Sequence, residues 1–162
     1  MEYYEGELER LLASLAFEDG VFARSGSPVG RSLTAEVYAL VLAAEHDWAG
    51  FAVEGAVGPS SASDVAGALT AVTADTAVEL MAYLSADDLV FPGSMRRNHG
   101  HALRAAERVA EVLGHDATWL TNIEGPWQNG RSWAPVSRHT FDGVVAGISP
   151  DYFAVLLQVG ED

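Results

Sequence analysis

The chain has 162 residues with 23 acidic side chains against nine basic ones, a net charge of −14, and no cysteine. Disulfides, thiolate metal centres and a cysteine nucleophile are thereby excluded, and so strong a negative field opposes nucleic-acid binding, which needs clustered Lys or Arg against phosphate. The length suits one domain spanning residues 1–162 around a single core.

At the N-terminus Tyr4, Leu8, Leu11, Leu12 and Leu15 fall on one stripe of an amphipathic helix, and Glu2, Glu5, Glu7 and Glu9 occupy its wet faces. Those acids are the reverse of a basic signal-peptide start, and no uncharged apolar run approaches the ~18 residues of a membrane span. The expectation is a cytoplasmic protein with no membrane association. Asp19-Gly20 reads as a turn, and Val21-Phe22-Ala23 as a short strand or loop. The stretch from Ser25 to Ser32 superficially resembles a phosphate-binding loop. Its glycines are one residue too close, however, and Arg31 stands where a lysine is required, so a connection ending in a helix cap at Ser32 or Thr34 is expected.

From Thr34 to Glu45 a helix is predicted, and the all-round apolar run Val37 to Ala44 points to a central, buried position, with a buried strand as the competing reading. Asp47 to Gly58, with Trp48, Phe51, Val53, Val57 and three glycines, reads as a strand or an irregular extended segment. Ser61 with Asp64, and Thr76 with Glu79, resemble capping boxes, so helices are expected to begin near 62 and 76 or to merge into one ending by Ala86. Asp87 to Asn98 is a loop. Leu103, Ala106, Val109, Ala110 and Leu113 then mark a helix from about Gly100 to Leu113, closed by Gly114.

The clearest signal lies at the C-terminus. Thr140–Ile148 and Tyr152–Val159 are rich in β-branched and aromatic residues, and Ser149-Pro150-Asp151 supplies turn chemistry between them, so an antiparallel hairpin is predicted. On the second strand Phe153, Val155, Leu157 and Val159 point one way and Tyr152, Ala154, Leu156 and Gln158 the other. Both faces are largely apolar, so the strand needs cover on both sides or a central position, and more strands or packed helices must complete the hairpin. Gly143 and Gly147 share a face with Phe141 and Val145, which suits either a bulky neighbour or a bulge. The fold class is therefore α+β, several helices on a small antiparallel sheet that includes this hairpin.

Two constellations carry potential chemistry. In an extended segment His99 and His101 would lie on one side, and with His115 and an oxygen from Asp116 or Asp142 they form a weak metal candidate. The segment Trp119 to Phe141 holds three tryptophans, Trp119, Trp127 and Trp133, beside Asn122 and Arg131, a set suited to contacting a ligand or a partner. The competing reading is that these rings plug the gap between helices and hairpin. Should catalysis occur there, Glu124, Arg138 and His139 are the groups to test, although Asp142 lies three residues beyond His139 and so on the opposite face of an extended strand. No hydrolase elbow, zinc-helix, dinucleotide or calcium-loop motif occurs, and no cofactor is expected.

The composition points to a non-catalytic interaction protein, of inhibitor, immunity or accessory type, that covers a basic surface on a partner. The alternative is a small-molecule enzyme or binding protein using loop 119–141. An open sheet edge would also allow a homodimer.

Overall fold

The computed structural model describes residues 2–91, 94–124 and 132–161, with the side chains of Glu2, Tyr3 and Ser132 excepted. In chain order the elements are α1 (Glu2–Leu15), β1 (Val21–Gly26), α2 (Leu33–Asp47), a single 3-10 turn (Ala49–Phe51), α3 (Ala62–Ala66), β2 (Thr70–Val72), α4 (Ala74–Ala86), α5 (His99–Leu113), β3 (Thr118–Thr121), β4 (Ile123–Glu124), β5 (Ser132–Trp133), β6 (Phe141–Ile148) and β7 (Phe153–Gly160). Five strands form one sheet in the order β1-β7-β6-β3-β2, every neighbouring pair antiparallel, while β4 and β5 make a separate two-stranded ribbon. The architecture is α+β, and the C-terminal hairpin lies at its centre.

The two apolar faces of β7 explain the layering. Ala154 and Leu156 belong to a core shared with Leu8, Leu12 and Leu15 of α1, Leu80, Met81 and Leu84 of α4, and Ala102, Ala106 and Val109 of α5. Phe153, Val155, Leu157 and Val159 face the other way, onto Val37, Leu40, Val41 and Ala44 of α2 and Val65 of α3. Helices therefore cover both sides of the sheet. Gln158 sits in the first of these layers without violating it: its amide donates to the carbonyls of Leu84 (2.6 Å) and Asp87 (2.9 Å) and accepts from the Leu89 amide (2.9 Å). A buried polar side chain costs little when each group is satisfied.

The glycines of β6 admit bulky neighbours. Gly147 pairs with Trp119 across the β3–β6 ladder, and the indole lies over the missing side chain. Gly143 likewise leaves room for Leu84 and Ile123. The β6–β7 register runs unbroken from Phe141↔Gly160 to Ile148↔Phe153, so no bulge interrupts it.

Several local expectations are corrected. Although its middle is apolar all round, α2 is buried along one side only, and Leu42 remains 43% exposed because no layer lies beyond it. Asp47 closes α2, and residues 48–58 form a 3-10 turn and an irregular loop, so of the two expected alternatives the strand is absent, leaving Phe51, Val53 and Val57 in water. The cap of α4 is Thr73, whose hydroxyl accepts from the Thr76 amide at 3.2 Å, so the Thr76–Glu79 pair lies within the first turns of the helix. The strand β2 separates α3 from α4, and the two do not merge.

Candidate functional site

Successive helices α4 and α5 pack side by side, with Ala77, Met81, Ala102, Ala106 and Val109 buried beneath them. Each helix has a defined start. Thr73 caps α4, and the Asn98 side chain caps α5 by accepting from the His101 amide at 3.0 Å. The buried residues of each helix fix its rotation, and with it which residues line the outer seam.

Along that seam runs an open groove of about 480 Å³ lined by Ala74, Asp75, Val78 and Glu79 of α4 and by Leu103, Glu107, Ala110 and Glu111 of α5. The floor is apolar, made by the half-buried Val78, Leu103 and Ala110. Both walls are acidic. Asp75 and Glu79 are spaced i, i+4 on one helix, Glu107 and Glu111 are spaced i, i+4 on the other, and all four are exposed. Among the described residues no basic side chain lines the groove. Arg108 bonds Glu111 at 3.0 Å but also reaches away to hold Glu7 of α1 at 2.6 and 3.0 Å.

This arrangement contains carboxylates and aliphatic carbon, without a nucleophile. Chemically it can attract cations and bury hydrocarbon between them. A single exposed ion pair at 4 Å contributes roughly 1 kcal/mol in water, so recognition would come from several such contacts acting together.

The segment around 119–141 is organised differently. Trp119, 2% exposed, is core packing beneath β6. Asn122 is fully buried: it donates to the Ala134 carbonyl (3.0 Å) and to Asp142 Oδ1 (2.8 Å), and accepts from the Val144 amide (2.8 Å). Asp142 also accepts from the Ser137 amide (3.0 Å), the Ser137 hydroxyl (2.8 Å) and the Val136 amide. Burial pushes the Asp142 carboxyl above its usual range, against the opposing pull of the hydrogen bonds from Ser137, Val136 and Asn122. The knot ties the segment to the start of β6.

Arg138 is tied to α2. Its amide donates to Glu45 Oε2 at 2.7 Å and its guanidinium to the Glu45 carbonyl at 2.6 Å. His139 is 4% exposed, with Nδ1 3.1 Å from Glu161 Oε1 and its ring edge-on to Trp48. Its partner is thus Glu161 and not Asp142, which turns into the knot with Asn122 and Ser137. Glu161 and Glu45 were missed by sequence reasoning. The first was recoverable, because the hairpin register sets Phe141 opposite Gly160 and so brings Thr140 to Glu161. Trp133 lies against Phe141 with ring centres 5.7 Å apart, and Glu124 is exposed at the end of the small ribbon. Trp127 and Arg131 lie outside the described residues.

The histidine trio is dispersed. The segment holding His99 and His101 is the first turn of α5 and not extended, so residues two apart point about 200° apart around the helix axis instead of to one side. The His115 side chain is 95% exposed beside Asp116. Among the described residues no group of three His, Asp or Glu side chains is placed to hold a metal ion. No described helix is long and apolar enough to cross a membrane.

Comparison of the chain with protein families, curated proteins and solved structures gave no match.

Proposed function

We propose that this protein is a non-catalytic interaction protein that uses the α4–α5 groove to cover a basic surface of a partner protein. The observation that carries this reading is the pairing of four exposed carboxylates, two on each helix, with an apolar floor and, among the described residues, no cation on the groove beyond the Arg108 guanidinium that Glu111 shares with Glu7. A partner helix with Lys or Arg flanking a strip of apolar residues has the complementary pattern: its cations meet the two acidic walls, and its hydrocarbon replaces water over Val78, Leu103 and Ala110. The chain's net charge of −14 adds long-range steering toward such a partner.

The reading that places a ligand site in segment 119–141 has less support from geometry. Asn122, Ser137 and Asp142 satisfy one another or neighbouring backbone, Trp119 is in the core, and Arg138 is bonded to Glu45.

Affinity capture from extract of the source cells tests the proposal. The immobilised protein is expected to retain a basic protein that is released as salt rises, because exposed ion pairs are screened. Failure to retain any protein in a salt-sensitive way, even at low ionic strength, would defeat it.

A further inference from the structure

We infer that the open edge of β1 is a second docking site, which accepts an extended peptide strand bearing an apolar residue and a basic residue two positions apart. This inference does not rest on the α4–α5 groove; it comes from the hydrogen-bonding phase of the sheet. The Val159 amide donates to the Gly20 carbonyl at 2.9 Å, and the register continues as Val21↔Gln158, Phe22↔Leu157 and Ala23↔Leu156. In an antiparallel ladder, residues alternate between bonding the partner strand and facing away from it. Phe22 and Arg24 therefore bond β7, whereas Ala23 and Ser25 turn their N–H and C=O groups outward, at an edge with no further strand among the described residues. An unpaired edge of this kind is a template for another strand.

Space and side chains select what could occupy it. A groove of about 390 Å³ runs along this edge, lined by Glu9, Leu12 and Ala13 of α1 and by Ala23, Arg24 and Ser25 of β1. The same two outward-facing residues thus line it, and their small side chains leave the backbone reachable. Leu12 is buried in the core, whereas Ala13 and Glu9 are exposed and stand i, i+4 on α1, about 6 Å apart along the helix and close to the ~6.6 Å between alternate residues of a strand. An incoming strand would set one side chain beside the exposed Ala13, where apolar contact is available, and the side chain two positions along beside the exposed Glu9, where a cation is favoured. On its other face Arg24 is already engaged by Glu36 of α2, so that side calls for neutral residues. A second copy of the chain fits less well, because two molecules of net charge −14 repel each other.

The test uses the acetylated, amidated peptide Thr-Lys-Thr-Val-Thr-Lys-Thr, whose symmetry of pattern presents valine opposite Ala23 in either strand direction. Amide exchange of the full chain is followed by NMR with and without it. The Ala23 and Ser25 amides are expected to slow by about tenfold or more at saturation, while a version N-methylated at alternate backbone amides has no effect. Ala23→Pro removes an outward donor on an edge strand, where proline is tolerated, and should weaken the peptide by about tenfold while the Phe22 and Arg24 amides stay protected. Unchanged exchange at Ala23 and Ser25, or equal binding by the N-methylated peptide, would overturn the inference. So would loss of peptide binding on neutralising Asp75, Glu79, Glu107 and Glu111 alone. A wild-type dimer in sedimentation that Ala23→Pro dissociates would assign the edge to self-association and reject the peptide.

Discussion

Replacing Gly147 by alanine tests the packing at the centre of the sheet. A Cβ at this position would lie 2.5 Å from Trp119 Cζ3, 2.6 Å from Cε3 and 2.8 Å from Cη2, so the ring must retreat by about 0.9 Å to restore an ordinary 3.4 Å contact. The indole has little room to do so, being 2% exposed in a close-packed layer. Overpacking of this kind costs about 1–3 kcal/mol, and replacing glycine in the unfolded chain returns about 0.4–1 kcal/mol. The net expectation is a loss of roughly 1–2 kcal/mol, read as a lower denaturation midpoint with an unchanged slope in urea. Trp119→Phe removes the atoms that clash, so in that background Gly147→Ala should cost less than about 0.5 kcal/mol, a coupling visible in a double-mutant cycle. A neutral or stabilising Gly147→Ala in the wild-type background would refute the argument.

Two further expectations concern buried polar groups. Gln158→Leu strips the partners from two carbonyls and one amide at the α4 end, and should destabilise by about 2–5 kcal/mol in equilibrium unfolding, whereas a loss under ~1 kcal/mol would mean water replaces the side chain. Asp142 has its pKa raised by burial despite the donors around it, so the stability linked to its titration is full below its ordinary value of 3.8 and is lost as pH rises through the raised folded-state value. The deficit of Asp142→Asn relative to wild type should therefore be greatest in acid and shrink toward neutral pH; a deficit that grows with pH would contradict this.

The hairpin was legible because both strands carry strong β chemistry, and the two-sided apolar pattern of β7 called for cover on both faces or a central position, without saying that helices would lie on both sides. Gly147 was also informative, since a missing side chain opposite a large one is a packing signal. What could not be read was anything fixed by distant partners. β2 is only three residues, Thr70–Val72, with two of them exposed, so it has no hydrophobic pattern of its own and exists as a strand because β3 pairs with it. The extended expectation for 47–58 rested on aromatic content, yet Phe51 remains exposed and Trp48 turns onto His139. In segment 119–141 polar residues looked available for a ligand, but Asn122 and Asp142 are separated by 20 positions and their mutual bond depends on strand pairing. The acidic groove was hidden for the same reason. Each helix shows an unremarkable i, i+4 pair of acids, and only packing α4 against α5 brings the two pairs to one seam.

The central claim is that this seam, and not merely the overall negative charge, recognises a cationic amphipathic segment. The most direct measurement is calorimetric titration of a helical Lys/Leu peptide into wild type and into the combined variant Asp75→Asn, Glu79→Gln, Glu107→Gln, Glu111→Gln, at about 0.05 M and about 0.5 M salt. The account predicts that the variant binds about tenfold more weakly at low salt and that the difference narrows at high salt. Equal affinity of the two proteins, with the same salt dependence, would contradict it.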